Sequence, residues 1–143
     1  MFIGKHDRSL DDKGRLVLPS GFRRAFEDAG GGVLAPWDRS LGLWTRDHFE
    51  VVMTKLLEKV SAEEADDDVV RLFAGAAADV QLDAQGRFVL PEDQRHHAAI
   101  RRDVKVLGQH NRIEIWDAER FAAVEGGKSA DDVSAEIRRL RVF

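Results

Sequence analysis

The sequence contains no cysteine. Disulfides and thiolate metal sites are therefore excluded. It also has no apolar run approaching the roughly 20 residues that span a bilayer as a helix. The start, Met-Phe-Ile-Gly-Lys-His-Asp, lacks the apolar core of a secretion signal, so the expected location is cytoplasmic. A surplus of positive charge is missing too: the formal net charge is -4, which taken as a sum argues mildly against nucleic acid as a partner. Nor is a catalytic set apparent. Ser9, Ser20 and Ser40 have no recurring histidine partner. Gly30-Gly31-Gly32 lacks the strand–loop–lysine context of a phosphate-cradling loop. The adjacent His96 and His97 would diverge by about 100° on a helix and chelate poorly. Neither an enzyme nor a bound metal or cofactor is expected.

What is present is a soluble globular composition, 43% hydrophobic and 34% charged over 143 residues. That suits one domain, or two small repeats sharing a core. The charge is unevenly spread. Residues 1–24 carry Lys5, Arg8, Lys13, Arg15, Arg23 and Arg24 against three aspartates, a net of +3, whereas residues 47–72 carry a net of -5.

The strongest signal is internal. Asp11-Asp12-Lys13-Gly14-Arg15-Leu16-Val17-Leu18-Pro19 returns as Asp83-Ala84-Gln85-Gly86-Arg87-Phe88-Val89-Leu90-Pro91, 72 positions on. At the same offset Arg23 falls on Arg95, Leu43 on Ile115, Trp44 on Trp116 and Phe49 on Phe121. The constant register predicts two structural repeats, 5–47 and 77–119, with connecting helices over 48–76 and a helical segment over 120–143.

Within each repeat the pattern predicts ββαββ, hence an α+β fold. A strand leads into an Asp-to-Gly turn, a short apolar strand follows, and proline opens a helix. In the first copy Phe22 and Phe26 share a helix face, the glycines at 30–32 end it, and a hairpin spans 33–45. In the second the hairpin strands are 104–107 and 112–116. A repeat of about 45 residues is near the lower limit for an independent core, so the hairpins are expected to interleave. Helices are predicted over 47–60, over 63–78 with the acidic run 63–68 at its start, over 117–124 and over 130–141, with Glu-Gly-Gly-Lys-Ser separating the last two. Val133, Ile137 and Leu140 form a stripe available to the chain's own sheet or to another subunit.

Two readings of the recurring turn stand side by side. In one, Asp11 pairs with Arg15 and Asp83 with Arg87, pinning the hairpin with Gly14 and Gly86. In the other, the turn presents Arg, Lys and Gln to an anion: Lys13 and Arg15 with Lys5 and Arg8 in the first copy, Gln85 and Arg87 in the second. These are side chains used against bases and phosphate, and a two-stranded ribbon fits the major groove. The readings are compatible, since an aspartate that orients an arginine also pre-organises it. Trp44 and Trp116, at the ends of apolar strands, are expected in core or interface packing more than in base stacking.

Met-Phe-Ile-Gly at the start, Leu-Asp-Asp-Lys-Gly-Arg-Leu-Val-Leu-Pro-Ser-Gly-Phe-Arg at 10–23, Leu-Asp-Ala-Gln-Gly-Arg-Phe-Val-Leu-Pro at 82–91 and Ile-Glu-Ile-Trp-Asp at 113–117 resemble the MraZ family of bacterial regulators. More widely the repeat resembles the AbrB/SpoVT swapped-hairpin domain. The resemblance implies a pseudo-dimeric, double-ψ-like barrel with accessory helices. It implies a DNA-binding transcriptional regulator, a repressor of the division and cell wall gene cluster. Such a protein assembles as a homo-oligomeric ring on tandem repeats in its own promoter and is associated with the nucleoid. It also implies double-stranded DNA as partner, with Arg15, Arg87 and Lys13 as foremost contacts and Lys5, Arg8 and Gln85 behind them. The alternative is an antitoxin-type protein–protein module with secondary DNA contact.

Overall fold

Both Asp-to-Gly turns form where the sequence places them, and the strands beyond them pair with each other across the repeats. The computed structural model describes residues 1–143. The first repeat supplies β1 (Lys5–Ser9), β2 (Arg15–Val17), α1 (Ser20–Asp28), β3 (Gly32–Trp37) and β4 (Ser40–Thr45). Two helices follow, α2 (Arg46–Ser61) and α3 (Asp67–Ala76). The second repeat supplies β5 (Ala78–Val80), β6 (Arg87–Val89), α4 (Glu92–His97), β7 (Asp103–Gly108) and β8 (Ile113–Asp117), and the chain ends with α5 (Ala118–Gly127) and α6 (Ala130–Leu140).

The strands are exchanged between repeats. A six-stranded antiparallel sheet runs in the order β1-β7-β8-β4-β3-β5, and β2 pairs with β6 in a separate ribbon. β1 thus adds to the second hairpin, with Asp7 opposite Lys105, and β5 adds to the first, with Asp79 opposite Val33. The exchange answers the size problem. Neither half covers its own hairpin, but together they bury one 18-residue cluster that includes Leu16, Leu18, Leu34, Phe88, Val106 and Ile115. Each aliphatic side chain fully buried there contributes about 1.5–3 kcal/mol.

The helices follow from local chemistry. Pro19 and Pro91 stand at the N-caps of α1 and α4, where a missing N–H costs nothing. α1 turns Phe22 and Phe26 inward, and Phe2 meets both rings at 5.6 Å. Gly31 ends α1 by donating its N–H to Phe26 O, at a φ of 119° that a side chain rarely tolerates.

Two expectations need correction. The acidic run does not start a helix at 63: Glu63 adopts a φ of 60°, Asp66 is the cap of α3, and the helix stops at Ala76 because 78–80 is taken into the sheet. The helix expected over 117–124 continues through Gly126 and Gly127, so the break before α6 is shorter than the glycine pair suggested. On solvent-facing turns that pair costs about 1 kcal/mol each relative to alanine, which does not stop the helix.

Candidate nucleic-acid interface

Each turn is built by its aspartate. Asp11 Oδ1 accepts the backbone N–H groups of Lys13 at 3.0 Å and Arg15 at 2.8 Å, while Oδ2 accepts Arg15 Nε at 2.6 Å. Asp83 repeats the pattern with Gln85 N and Arg87 N, both at 2.9 Å, and Arg87 Nε at 2.8 Å. Gly14 and Gly86 close the turns at φ values of 73° and 76°. Both carboxyls lie below the ordinary 3.8, chiefly because the backbone N–H of Arg15 or Arg87 stabilises the anion, with the guanidinium adding to it against partial desolvation.

The ribbon then sets direction. Arg15 sits opposite Val89, Leu16 opposite Phe88, and Val17 opposite Arg87. Leu16 and Phe88 are buried, so alternation turns Arg15, Val17, Arg87 and Val89 to the outer face. The two arginines stand on that face about 7–8 Å apart at the backbone, the diagonal spacing across an antiparallel pair. Each is held by Nε alone on the aspartate. Both terminal nitrogens of Arg15 are free, whereas one of Arg87 donates to Gln85 Oε1 at 3.1 Å. The turns are also bonded to each other: Leu18 N donates to Gly86 O and Leu90 N to Gly14 O, each at 3.0 Å.

Four further arginines join this region. The guanidinium of Arg95 lies over Gly14, and Arg23 lies over Gly86 while its Nε donates to Leu18 O at 2.8 Å. Each turn is therefore roofed by the helix of the other repeat. A β-carbon at Gly86 would collide with Arg23, a second reason for glycine there. Strand exchange brings the backbone of Arg102, and Arg101 before it, beside the first turn, since Leu10 N donates to Arg102 O at 2.9 Å. Both arginines line a concavity with Asp103, Asp117 and Glu119. At the offset of 72 their counterparts beside the second turn are Ala29 and Gly30, where the guanidinium of Arg46 lies instead, donating to Gly30 O at 2.6 Å and pairing with Asp79. The sequence had one clue to Arg23 and Arg95, their match at the repeat offset. For Arg101 and Arg102 there was none, since only the β1–β7 pairing brings them there.

The remaining residues singled out in the sequence divide. Lys13 is exposed and makes no side-chain bond. Arg8 is half-buried on β1 and donates to Asp7 O at 2.8 Å. Lys5, at the other end of β1, is paired with Glu125 of α5. Trp44 and Trp116 are buried, the first against Trp37, Phe49 and Phe73 and the second against Phe121. Ser9 and Ser40 Oγ donate to Asp103 and to Trp37 O, and His97 Nε2 is 2.9 Å from Asp38 O.

Fold and site together define a tandem-repeat α+β protein whose two halves exchange strands to build one ribbon of paired guanidiniums. The chain belongs to the MraZ family: the model described as "MraZ protein, putative antitoxin-like" matches it twice, over residues 1–72 and 72–141. A protein named "Transcriptional regulator MraZ" from Thermomicrobium roseum is 40% identical over 128 residues, covering 86% of each chain. Proteins of the same name from Syntrophomonas wolfei and Ligilactobacillus salivarius are 37% and 33% identical, the latter covering 94% of each chain. These relatives are named for regulation of transcription, not for a reaction. No helix of the chain is long and apolar enough to cross a membrane.

Proposed function

We propose that this chain is a sequence-specific DNA-binding transcriptional regulator. It acts as a repressor of the division and cell wall gene cluster, binding tandem repeats in its own promoter as a homo-oligomeric ring in the nucleoid-associated cytoplasm. The observation that carries this reading is the outward ribbon face, where Arg15 and Arg87 are each fixed through Nε, Arg15 with both terminal nitrogens free and Arg87 with one. Arginine so oriented can engage guanine O6 and N7 or a phosphate with less loss of side-chain entropy on binding than a free one. A two-stranded antiparallel ribbon has the width of a major-groove reader. Lys13 and Gln85 at the turn tips extend the contact, Arg8 supports the flank, and Lys5 is the most remote member of the set. Repeats 5–47 and 77–119 form the swapped-hairpin, double-ψ-like unit, and 48–76 and 120–143 are its accessory helices. One subunit with a net charge of -4 binds DNA modestly, so several subunits on several DNA repeats gain by avidity. A footprint on DNA upstream of the chain's own gene tests this: protection at regularly spaced short repeats is expected, and uniform non-protection contradicts it.

A second reading is an antitoxin-type interaction module with secondary DNA contact. It is favoured by the negative net charge and by the exposed apolar faces of α3 and α6. A flat dependence of DNA affinity on salt would select it.

A further inference from the structure

The two turns of the ribbon are related by symmetry but do not have the same tip. Asp11, Gly14, Arg15 and Val17 have identical counterparts in Asp83, Gly86, Arg87 and Val89, and the two arginine side chains are exposed alike, 29% and 28%. The tips differ: Asp12-Lys13 in the first turn, Ala84-Gln85 in the second. In the second turn Gln85 Oε1 accepts Arg87 Nη2 at 3.1 Å, while Asp83 Oδ2 holds Arg87 Nε at 2.8 Å. A guanidinium only donates, so the amide oxygen must be the atom that faces it, and the amide Nε2 is left facing away. Asp83 Oδ1 also fixes the backbone N–H of both residues, so the pair starts from a rigid turn. Lys13 cannot do the same for Arg15. It too only donates, and it carries a like charge.

The arginines that roof the turns follow the same division. Arg23, over the second turn, is latched by its Nε to Leu18 O at 2.8 Å. Arg95, over the first, has a buried Nε with no partner. The second turn is thus held at its arginine, its tip and its roof. The first holds Arg15 at Nε alone, with Lys13 on an untethered stem. Asp12 is exposed beside Lys13 and offsets part of its charge. What the second turn offers outward is a pair of donors in fixed positions, Arg87 Nη1 and Gln85 Nε2. Among the base edges of the major groove only guanine sets two acceptors, O6 and N7, side by side. An unbonded lysine is a mobile point charge, which suits phosphate, and a phosphate contact carries no sequence information.

We infer that Gln85 is a positioning residue for base readout. It holds Arg87 so that the second turn reads guanine, while Lys13 at the first tip contacts phosphate. The two ends of the ribbon therefore do different work despite the symmetry that relates them. The inference rests on the DNA-binding reading above and names a source of its sequence specificity.

The test uses the full-length wild type, Gln85→Ala, Lys13→Ala, Arg87→Ala and the double variant Q85A/R87A. Affinity is measured across a salt series for DNA from upstream of the chain's own gene, with each guanine of the protected region replaced in turn by 7-deazaguanine. That base keeps its pairing and loses only the N7 acceptor. At one or more guanines the wild type is expected to lose affinity by about tenfold. Gln85→Ala is expected to lose most of that discrimination with its salt slope unchanged. Lys13→Ala is expected to keep the discrimination and lower the slope by about 1. Removing Gln85 from Arg87→Ala is expected to change nothing further, as a residue acting through the arginine requires. Full discrimination in Gln85→Ala, or an added loss in the double variant, overturns the positioning role and leaves DNA binding standing. A wild type that binds but is indifferent to every 7-deazaguanine overturns the guanine readout in the same way. A wild type that does not bind this DNA overturns both readings.

Discussion

Leu16 pairs with Phe88, its own counterpart 72 positions along the chain. Gly42 pairs with Glu114 at the same offset. A residue opposite its own equivalent marks a two-fold axis, and here one axis runs through the ribbon and the centre of the six-stranded sheet. The guanidinium pair therefore belongs to neither repeat alone. Losing β2 or β6 would dismantle both turns, since Leu18 and Leu90 bond across to the opposite glycine.

Glu114 breaks that symmetry. It is buried beside the axis, where Oε2 accepts Nε and Nη2 of Arg112 at 3.0 and 2.8 Å and Oε1 accepts Trp116 Nε1 at 3.0 Å. Arg112 in turn lies 5.2 Å from the ring centre of Trp37, and Arg39 lies 5.4 Å from that of Trp116, so each hairpin clasps the other. Glu114→Ala leaves the Arg112 guanidinium without its carboxylate and the Trp116 indole N–H without an acceptor. It is expected to destabilise the fold by about 3 kcal/mol in denaturant unfolding, and Glu114→Gln by less.

The counterpart position has no room at all. A β-carbon on Gly42 would fall inside van der Waals contact of the Trp44 ring. Gly42→Ala is expected to lower stability by about 1–3 kcal/mol and to change the tryptophan fluorescence. An unperturbed melting curve and spectrum would show that the ring moves freely.

Arg101 and Arg102 stand beside the first turn, whereas Arg46 beside the second is already engaged by Gly30 O and Asp79. If the first turn carries more of the phosphate contact, alanine at either position weakens binding uniformly across DNA sequences and lowers the salt slope by about 1. Lysine introduced at Ala29, an equivalent place beside the second turn with ordinary helical φ, is expected to strengthen binding and steepen that slope.

The turns should survive mild acid. Asp11 and Asp83 have carboxyl pKa values lowered in the folded state below the ordinary 3.8. Their contribution to stability is then fully present above that value and is lost as pH falls through the lower folded values. Carboxyl chemical shifts followed by NMR are expected to titrate below the ordinary aspartate range for these two residues, and Asp11→Asn with Asp83→Asn should remove that part of the acid dependence.

Much of this was legible in the sequence because repetition doubles each local signal. The turn chemistry, the helix-opening prolines, the inward Phe22 and Phe26 and the burial of both tryptophans follow from residue type and spacing. Strand exchange was foreseeable only as a need to bury short hairpins. Which strand crosses to which hairpin depends on long-range pairing, and so did the arrival of Arg101 and Arg102 beside Leu10. The limits of α3 and α5 depart from the sequence pattern for a related reason. Acidic residues suit a helix start without fixing its position, and glycine ends a helix only where the backbone turns, which it does at Gly31 and not at Gly126.

The central claim is that the paired arginines of the ribbon contact DNA. It is tested most directly by the affinity of the wild type, Arg15→Ala, Arg87→Ala and the double variant for DNA from upstream of the chain's own gene, measured across a salt series. The account predicts weaker binding for each single variant, a further loss for the double, a shallower salt slope and an unchanged oligomer mass. Unaltered affinity in both single variants and in the double would contradict it.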